Sequence, residues 1–374
     1  LDDGDKKALL DGSFIGNPKL VEFDNKSWHC YLKNETEASD DAIDMMGKAL
    51  IIRGVWDWSL AAILRDELSH GESEEDRQLC AIEGGMDLLP KELEKLLDGK
   101  ANIHYGHKVK SIDAKNNKVT FENGKYVDFT DKKLLCTIPF SVLKNLELPN
   151  FSEVKKNAIN RLGSDYASSM KILFYYKKRF WEDEGTPIVN SGRSVSEEEM
   201  LQLYYPFPAN NTPSCLEELP TLDSAAPASG LFSLYVGDSP SLIEARKTAQ
   251  TESFGDSDIP GVLLASYTYN KLSEALCNME QGKASNKVLC NLSNFHKGAP
   301  EPDEKEEWCW DEKEHFKGAF AITTPGTLTQ FLAEGKKPER AIYFAGEHLS
   351  IAPGWIQGAL ESSLREVAKM VSSD

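Results

Sequence analysis

A lysine interrupts an apolar run in SSMKILFYYKKRFW, where Lys171 stands between Met170 and Ile172, with Leu173 and Phe174 close behind. In a strand, such a residue is either an edge lysine that keeps its head in water or a buried amine with a chemical task. Burial lowers the pKa of an amine, and a lysine so placed can exchange protons near neutral pH. A second reactive type ends the apolar strand of RAIYFAGE, where Gly346 is followed by Glu347. Open α/β sheets bind ligands beyond the carboxyl ends of their strands, so Glu347 is placed to accept from a ligand hydroxyl, or else to cap a turn. Further on, Gly354 and Trp355 stand at the mouth of the last helix. A helix start carries unsatisfied N–H groups and about half a positive charge, which suits a ligand that gains negative charge during reaction. Trp355 there either walls a ligand or plugs the core. Tyr267, in ASYTY, is a hydroxyl donor or a core tyrosine.

These residues need elements to hold them. The helix after Trp355 carries Ile356, Leu360, Leu364, Val367 and Val371 at spacings of three and four, an amphipathic pattern. MKILFYYKKRFW and GVLLASYTY read as apolar strands. Between them, residues 207–260 are rich in Pro, Ser, Ala and Asn and read as an insertion around one ordered-looking piece, LFSLYVGD. Upstream, HKVKSIDAKNNKVTFENGKYVDF alternates apolar and polar residues, with Asn116-Asn117 and Asn123-Gly124 as turns, and predicts hairpins followed by a buried strand from Lys133 to Ile138. Residues 40–94 have helical spacing, broken at His70-Gly71-Glu72-Ser73. Helices and strands mix without regular alternation, so the fold class is α/β of the mixed α+β kind.

The formal charge is -18, from 60 acidic and 42 basic residues. Binding a polyanion needs clustered Lys and Arg, so nucleic acid is excluded as a partner. No apolar run is long enough to cross a bilayer, which excludes a membrane-spanning helix. Seven cysteines without a CxxC point to neither a zinc site nor a redox pair, and no metal is expected. The start, LDDGDKKALL, is neither a signal peptide nor an initiator methionine and looks like the interior of a longer, processed polypeptide. Sequons at Asn25, Asn34, Asn150, Asn210 and Asn291 lean towards an extracellular, glycosylated protein of the secretory pathway.

A ligand that gains negative charge at a helix start could be a flavin, which becomes anionic on reduction. YFAGEHLSIAPGWIQGALESSLREVA resembles the C-terminal FAD-binding motif of the flavin amine oxidases, and GWI before a helix is its form in L-amino-acid oxidases. IEGGMDLLP, HKVKSID, LLCTIPFSVLKNLEL, SSMKILFYYKKRFWEDEG and GVLLASYTY resemble that family in the same order, from about residue 80 onward. The resemblance implies an FAD-binding, Rossmann-like domain, a substrate domain on a mixed sheet and a helical lobe. It divides the chain into residues 1–79 (helical), 80–165 (FAD-binding part), 166–335 (substrate-binding) and 336–374 (the rest of the FAD-binding part).

By the same resemblance, Val109 holds the FAD adenine through its backbone, Gly346 and Glu347 meet the ribityl chain, and the Ile356 N–H faces the flavin pyrimidine. Lys171 holds a water near flavin N5. Tyr267 grips the carboxylate of an L-amino acid, the Gly354 carbonyl accepts from its amine, and Trp355 forms a wall against substrate and flavin. The implied reaction is oxidative deamination, in which an L-amino acid, molecular oxygen and water give a 2-oxo acid, ammonia and hydrogen peroxide. A decarboxylating monooxygenase shares the fold and would give an amide and carbon dioxide, and a flavin-free binding protein is the reading from another class.

The chain has neither the G-x-G-x-x-G loop that holds a dinucleotide's pyrophosphate nor the early arginine that pairs with the substrate carboxylate. A separate N-terminal chain from a cleaved precursor is expected to supply both. A homo-oligomer is left open.

Overall fold

In a computed structural model, the protein is described at residues 1–14, 16–49, 52–69, 82, 85–183, 192–195, 202–206 and 260–372. The break at residues 70–73 and nearly all of the 207–260 insertion, with its LFSLYVGD piece, lie outside the described residues. The chain opens with helices α1 (Asp3–Asp11), α2 (Pro18–Asp24), α3 (Trp28–Glu35), α4 (Asp40–Ala49), α5 (Leu60–Ser69) and α6 (Leu88–Leu96). Local chemistry starts several of them. Asp2 and Asp5 cap α1 reciprocally, Asn17 precedes Pro18 at α2, and the Ser27 side chain accepts from the Cys30 N–H at α3.

Strands β1 (Val109–Asp113), β2 (Lys118–Phe121) and β3 (Tyr126–Asp128) follow as an antiparallel meander, with Asn117 and Gly124 at positive φ in its turns. The hairpins expected from those residues are present. Strand β4 (Leu134–Cys136) then leads into the single turn α7 (Phe140–Leu143) and α8 (Glu153–Ser164), which the Ser152 hydroxyl caps. One apolar core joins these parts. Leu9, Leu20 and Ala61 from the N-terminal helices pack with Ile112, Val119, Phe140, Ile159 and Phe344.

The remaining elements are β5 (Ser169–Tyr176), β6 (Gly192–Val195), β7 (Gln202–Tyr205), β8 (Gly261–Tyr269), α9 (Asn270–Cys277), α10 (Lys283–Phe295), β9 (Glu304–Cys309), α11 (Thr327–Lys336), β10 (Ile342–Phe344) and α12 (Ile356–Ser372). The larger sheet runs in the order β6-β7-β8-β5-β9. All its pairs among the described residues are antiparallel. Parallel pairing occurs instead between β10 and β4, where Ile342 stands opposite Leu134 and Phe344 opposite Cys136.

The two faces of β5 have different neighbours. Met170, Ile172, Phe174 and Tyr176 pack with Leu276, Val288 and Leu292 of α9 and α10, as a period of two requires. Lys171 and Leu173 therefore face the other way. On β8, Leu264 stands opposite Leu173 while Ser266 stands opposite Ile172, which leaves Ala265 as an inserted residue. That bulge shifts the alternation by one and turns Tyr267 to the same face as Leu264 and Leu173.

Helix α12 differs most from its sequence pattern. Its apolar stripe is exposed, with Ile356 at 45% and Leu364 at 71%, while the opposite face buries Gly358, Ser362 and Glu366. The reason lies at Gly358, where an added Cβ would sit 2.1 Å from the Ala352 carbonyl oxygen. Only a face of small residues lets the helix approach the preceding loop so closely.

Candidate active site

The cavity-facing side of the larger sheet and the start of α12 enclose a cavity of about 590 Å³. Lys171, Tyr267, Gly354, Trp355 and Ile356 all line it, although they are far apart in sequence. Lys171 and Tyr267 are direct cross-strand partners, and the Lys171 ammonium lies 4.7 Å from the centre of the Tyr267 ring. No described residue offers the ammonium a carboxylate within ion-pair distance. Burial alone pushes Lys171 down to about 8. The same desolvation pushes Tyr267 up to about 12, so its phenol stays protonated and able to donate.

Aromatic rings continue from Tyr267. The Tyr267 and Tyr269 rings are 4.5 Å apart, Tyr269 and Phe320 5.9 Å, and Phe320 and Trp58 6.1 Å. Trp310 also lines the cavity, beside the disulfide between Cys277 at the end of α9 and Cys309 at the end of β9. Tyr269 was legible from its position two residues beyond Tyr267 in a strand. Nothing local in the sequence marks Trp58, Phe320 or Trp310, because tertiary packing alone brings them here.

Opposite the sheet, Gly354 takes φ +83°, a left-handed turn that a side chain would strain, and delivers Trp355 to the mouth of α12. The first residues of that helix, Ile356 and Gln357, line the cavity. This is the donor set of an anion-accepting helix start.

Glu347 and Gly346 stand one layer behind. The Gly346 N–H donates to Ser362 Oγ, at 2.9 Å, and its carbonyl accepts from the same hydroxyl. Glu347 accepts from the N–H groups of Gly354, at 2.8 Å, and Ala321, at 3.1 Å. Burial outweighs those bonds and raises its pKa to about 7. His348 lies under the Phe140 ring and is pushed down to about 3 by burial, so it is a structural residue. Val109 is not at the cavity; it stands opposite Phe121 in the small meander and packs on the first core. Tyr205 is buried with its hydroxyl 2.7 Å from His296 Nε2, while Tyr204 packs beside Tyr267.

The residues present fit a flavin. A helix start suits the end of the ring system that becomes anionic, Trp355 supplies a flat apolar wall, and Lys171 supplies an amine that no described carboxylate neutralises.

Residues 67–371 match the family described as flavin containing amine oxidoreductase. The chain is 30% identical over 307 residues to a flavin-dependent L-tryptophan oxidase of Lentzea aerocolonigenes, an alignment covering 79% of this chain and 54% of that protein. It is 27% identical to a putative L-amino-acid oxidase of Bacillus subtilis (strain 168), covering 93% of this chain and 64% of the relative. It is 25% identical to an L-amino acid oxidase of Bothrops pictus, covering 92% and 60%. The chain thus spans between about half and two thirds of the length of these relatives. Among solved structures, putrescine oxidase superposes with TM-score 0.68 at 15% identity over 100% of this chain and 76% of the other. Cyclohexylamine oxidase from Brevibacterium oxydans IH-35A gives 0.65 at 13%, over 99% and 73%. These two share the fold.

Proposed function

The chain belongs to the flavin-containing amine oxidoreductases, whose cofactor is FAD, and from that premise we propose that it is the larger part of an L-amino-acid oxidase. The observation that carries this reading is the pairing of Lys171 with Tyr267 on one sheet face, across the cavity from Gly354 and Trp355. Tyr267 donates to the substrate carboxylate, a bond that a plain amine cannot make. Gly354 presents its carbonyl to the substrate amine. Lys171, uncharged above about pH 8, takes up the proton that the substrate ammonium must lose before its nitrogen lone pair can assist oxidation. FAD, when bound, would supply the redox chemistry as hydride acceptor. Trp355 and the aromatic walls exclude water and fix the orientation. Val109, Gly346 and Glu347 contact the adenine and ribityl parts of the cofactor.

The test is peroxide release from the native, unfractionated protein, across the twenty L-amino acids and several plain amines. Keto acid with peroxide from amino acids alone supports the reading. Amide with carbon dioxide identifies the monooxygenase, and turnover of plain amines alone overturns the amino-acid assignment.

A polypeptide segment carrying the glycine-rich phosphate loop completes the site on this reading. Its seat is the exposed stripe of α12 beside the β4/β10 pair, since parallel strands are ordinarily buried within larger sheets. Mass spectrometry of the purified yellow protein tests this. Stoichiometric FAD on the present chain alone would sink it.

An extracellular or secretory location is supported by exposed sequons at Asn25, Asn34 and Asn150 and by the Cys277–Cys309 disulfide. The Asn291 sequon is buried in α10 and is not a glycan acceptor in the folded chain.

A further inference from the structure

Glu347 does not line the cavity, yet both chain segments it binds do. Ala321 follows Phe320, the aromatic wall between Trp58 and Tyr269, and Gly354 precedes Trp355. The segment around Phe320 is already held on one edge, where Ala167 N donates to the Phe320 carbonyl and Ala319 N donates to the Ala167 carbonyl, both at 2.9 Å. Its other edge turns the Ala321 N–H towards Glu347. On the facing segment, Pro353 has no N–H to give, so the Gly354 N–H is the next group that can restrain the loop. Phe320 and Gly354 come within contact distance, since a Cβ built on Gly354 would lie 3.4 Å from the Phe320 ring.

We propose that Glu347 is a positioning residue that staples two walls of the substrate pocket, holding Ala321 and Gly354 by their N–H groups and so setting Phe320 and Trp355 relative to each other. This rests on the amino-acid oxidase reading for its kinetic consequence, while the staple itself can be observed without turnover. The Ala321 N–H is shared between Oε1, at 3.1 Å, and Oε2, at 3.3 Å, while Gly354 donates to Oε2, so an ionised carboxylate can give each N–H its own charged oxygen, whereas a protonated acid or an amide offers one neutral carbonyl oxygen to both. The pocket is therefore held more firmly while Glu347 is ionised. Among the described ionisable groups around it, Tyr166 stays protonated and His348 neutral through burial, and Arg65 donates to the Ser350 carbonyl; Lys336, on the helix packed against the turn that begins at Glu347, is pushed down to about 7 by burial, so a Lys336→Met protein is the control for the pH comparison.

The experiment compares wild-type holoenzyme with Glu347→Gln by amide hydrogen exchange, flavin content and steady-state kinetics. In the variant, exchange should quicken about ten-fold in the segments around Ala321 and Gly354 and nowhere else, and in the fraction that carries flavin KM should rise about ten-fold against a smaller change in kcat. Wild-type protection in both segments, together with loss of flavin, overturns the proposal and leaves Glu347 as a cofactor ligand only. If the variant does not fold, the wild type decides. With intrinsic exchange rates corrected for pH, the same two segments should lose protection at pH 6 relative to pH 8, and equal protection overturns the staple. If no amino acid or amine is oxidised, the oxidase reading fails, while the exchange result still stands on its own.

Discussion

Lys171 carries its charge over an aromatic ring rather than beside a carboxylate, and burial holds its pKa at about 8. Its neutral form thus gains population as pH rises through that value. We expect kcat to climb between about pH 7 and 9, and Lys171→Met to lower it at least about 100-fold and remove the inflection. A pH–rate series on both proteins checks this; an unchanged inflection in the variant would place the titration elsewhere. Tyr267 remains a donor throughout this range. Tyr267→Phe should raise KM for amino acids by about 10- to 100-fold, the cost of a lost hydrogen bond to a charged group, and leave binding of carboxylate-free amines unchanged. Inhibition constants for a carboxylate and an amine of similar size distinguish the cases. Lys171 was legible in sequence because a charge broke an apolar run, and Glu347 because it ended a strand. The second bond of Glu347, to Ala321, was not legible, since no local pattern relates residues in two separate segments.

At the scale of elements, the bulge at Ala265 decides which way Tyr267 points. Alternation counted along GVLLASYTY places Leu264 and Tyr267 on opposite faces, and the structure places them together. Pattern reading finds the strand and misses the face, because an inserted residue is visible only when its partner strand is known. The Cys277–Cys309 bridge fixes the end of β9, next to Trp310 at the cavity. Replacing both cysteines by serine should cost about 3–4 kcal/mol from loop closure, read as a drop in thermal midpoint relative to the oxidised wild type. Helix α12 presents the opposite lesson. Its amphipathic pattern was legible in the sequence, whereas the direction of its apolar stripe was not, because Gly358 and Ser362 pack more closely on the preceding loop than Leu360 or Leu364 could. On the proposal that a further segment docks on this stripe to complete the FAD site, Leu364→Asp should release it and bleach the protein, whereas Val154→Asp, at another exposed site, should do neither; flavin absorbance after gel filtration reports both.

Across the whole molecule, the apolar core that links α1, α2 and α5 to the strands around β4 is continuous, while the larger sheet packs α9 and α10 in a core of its own. The cavity draws on both parts, taking Trp58 and Gly354 to Ile356 from one side and Lys171, Tyr267 and Tyr269 from the other. By itself, the sequence determined the elements, their apolar periods, the acidic balance of the chain and the ordered motifs that place it among flavin amine oxidoreductases. All of these are written in neighbouring residues, through charge, period and turn chemistry. Tertiary structure alone decided that Tyr267 faces the cavity, that the apolar face of α12 turns outward, that Phe320 and Trp58 become walls, and that Glu347 reaches two backbone N–H groups. Each of those outcomes depends on which distant segment occupies the adjoining space, and packing settles that across the chain.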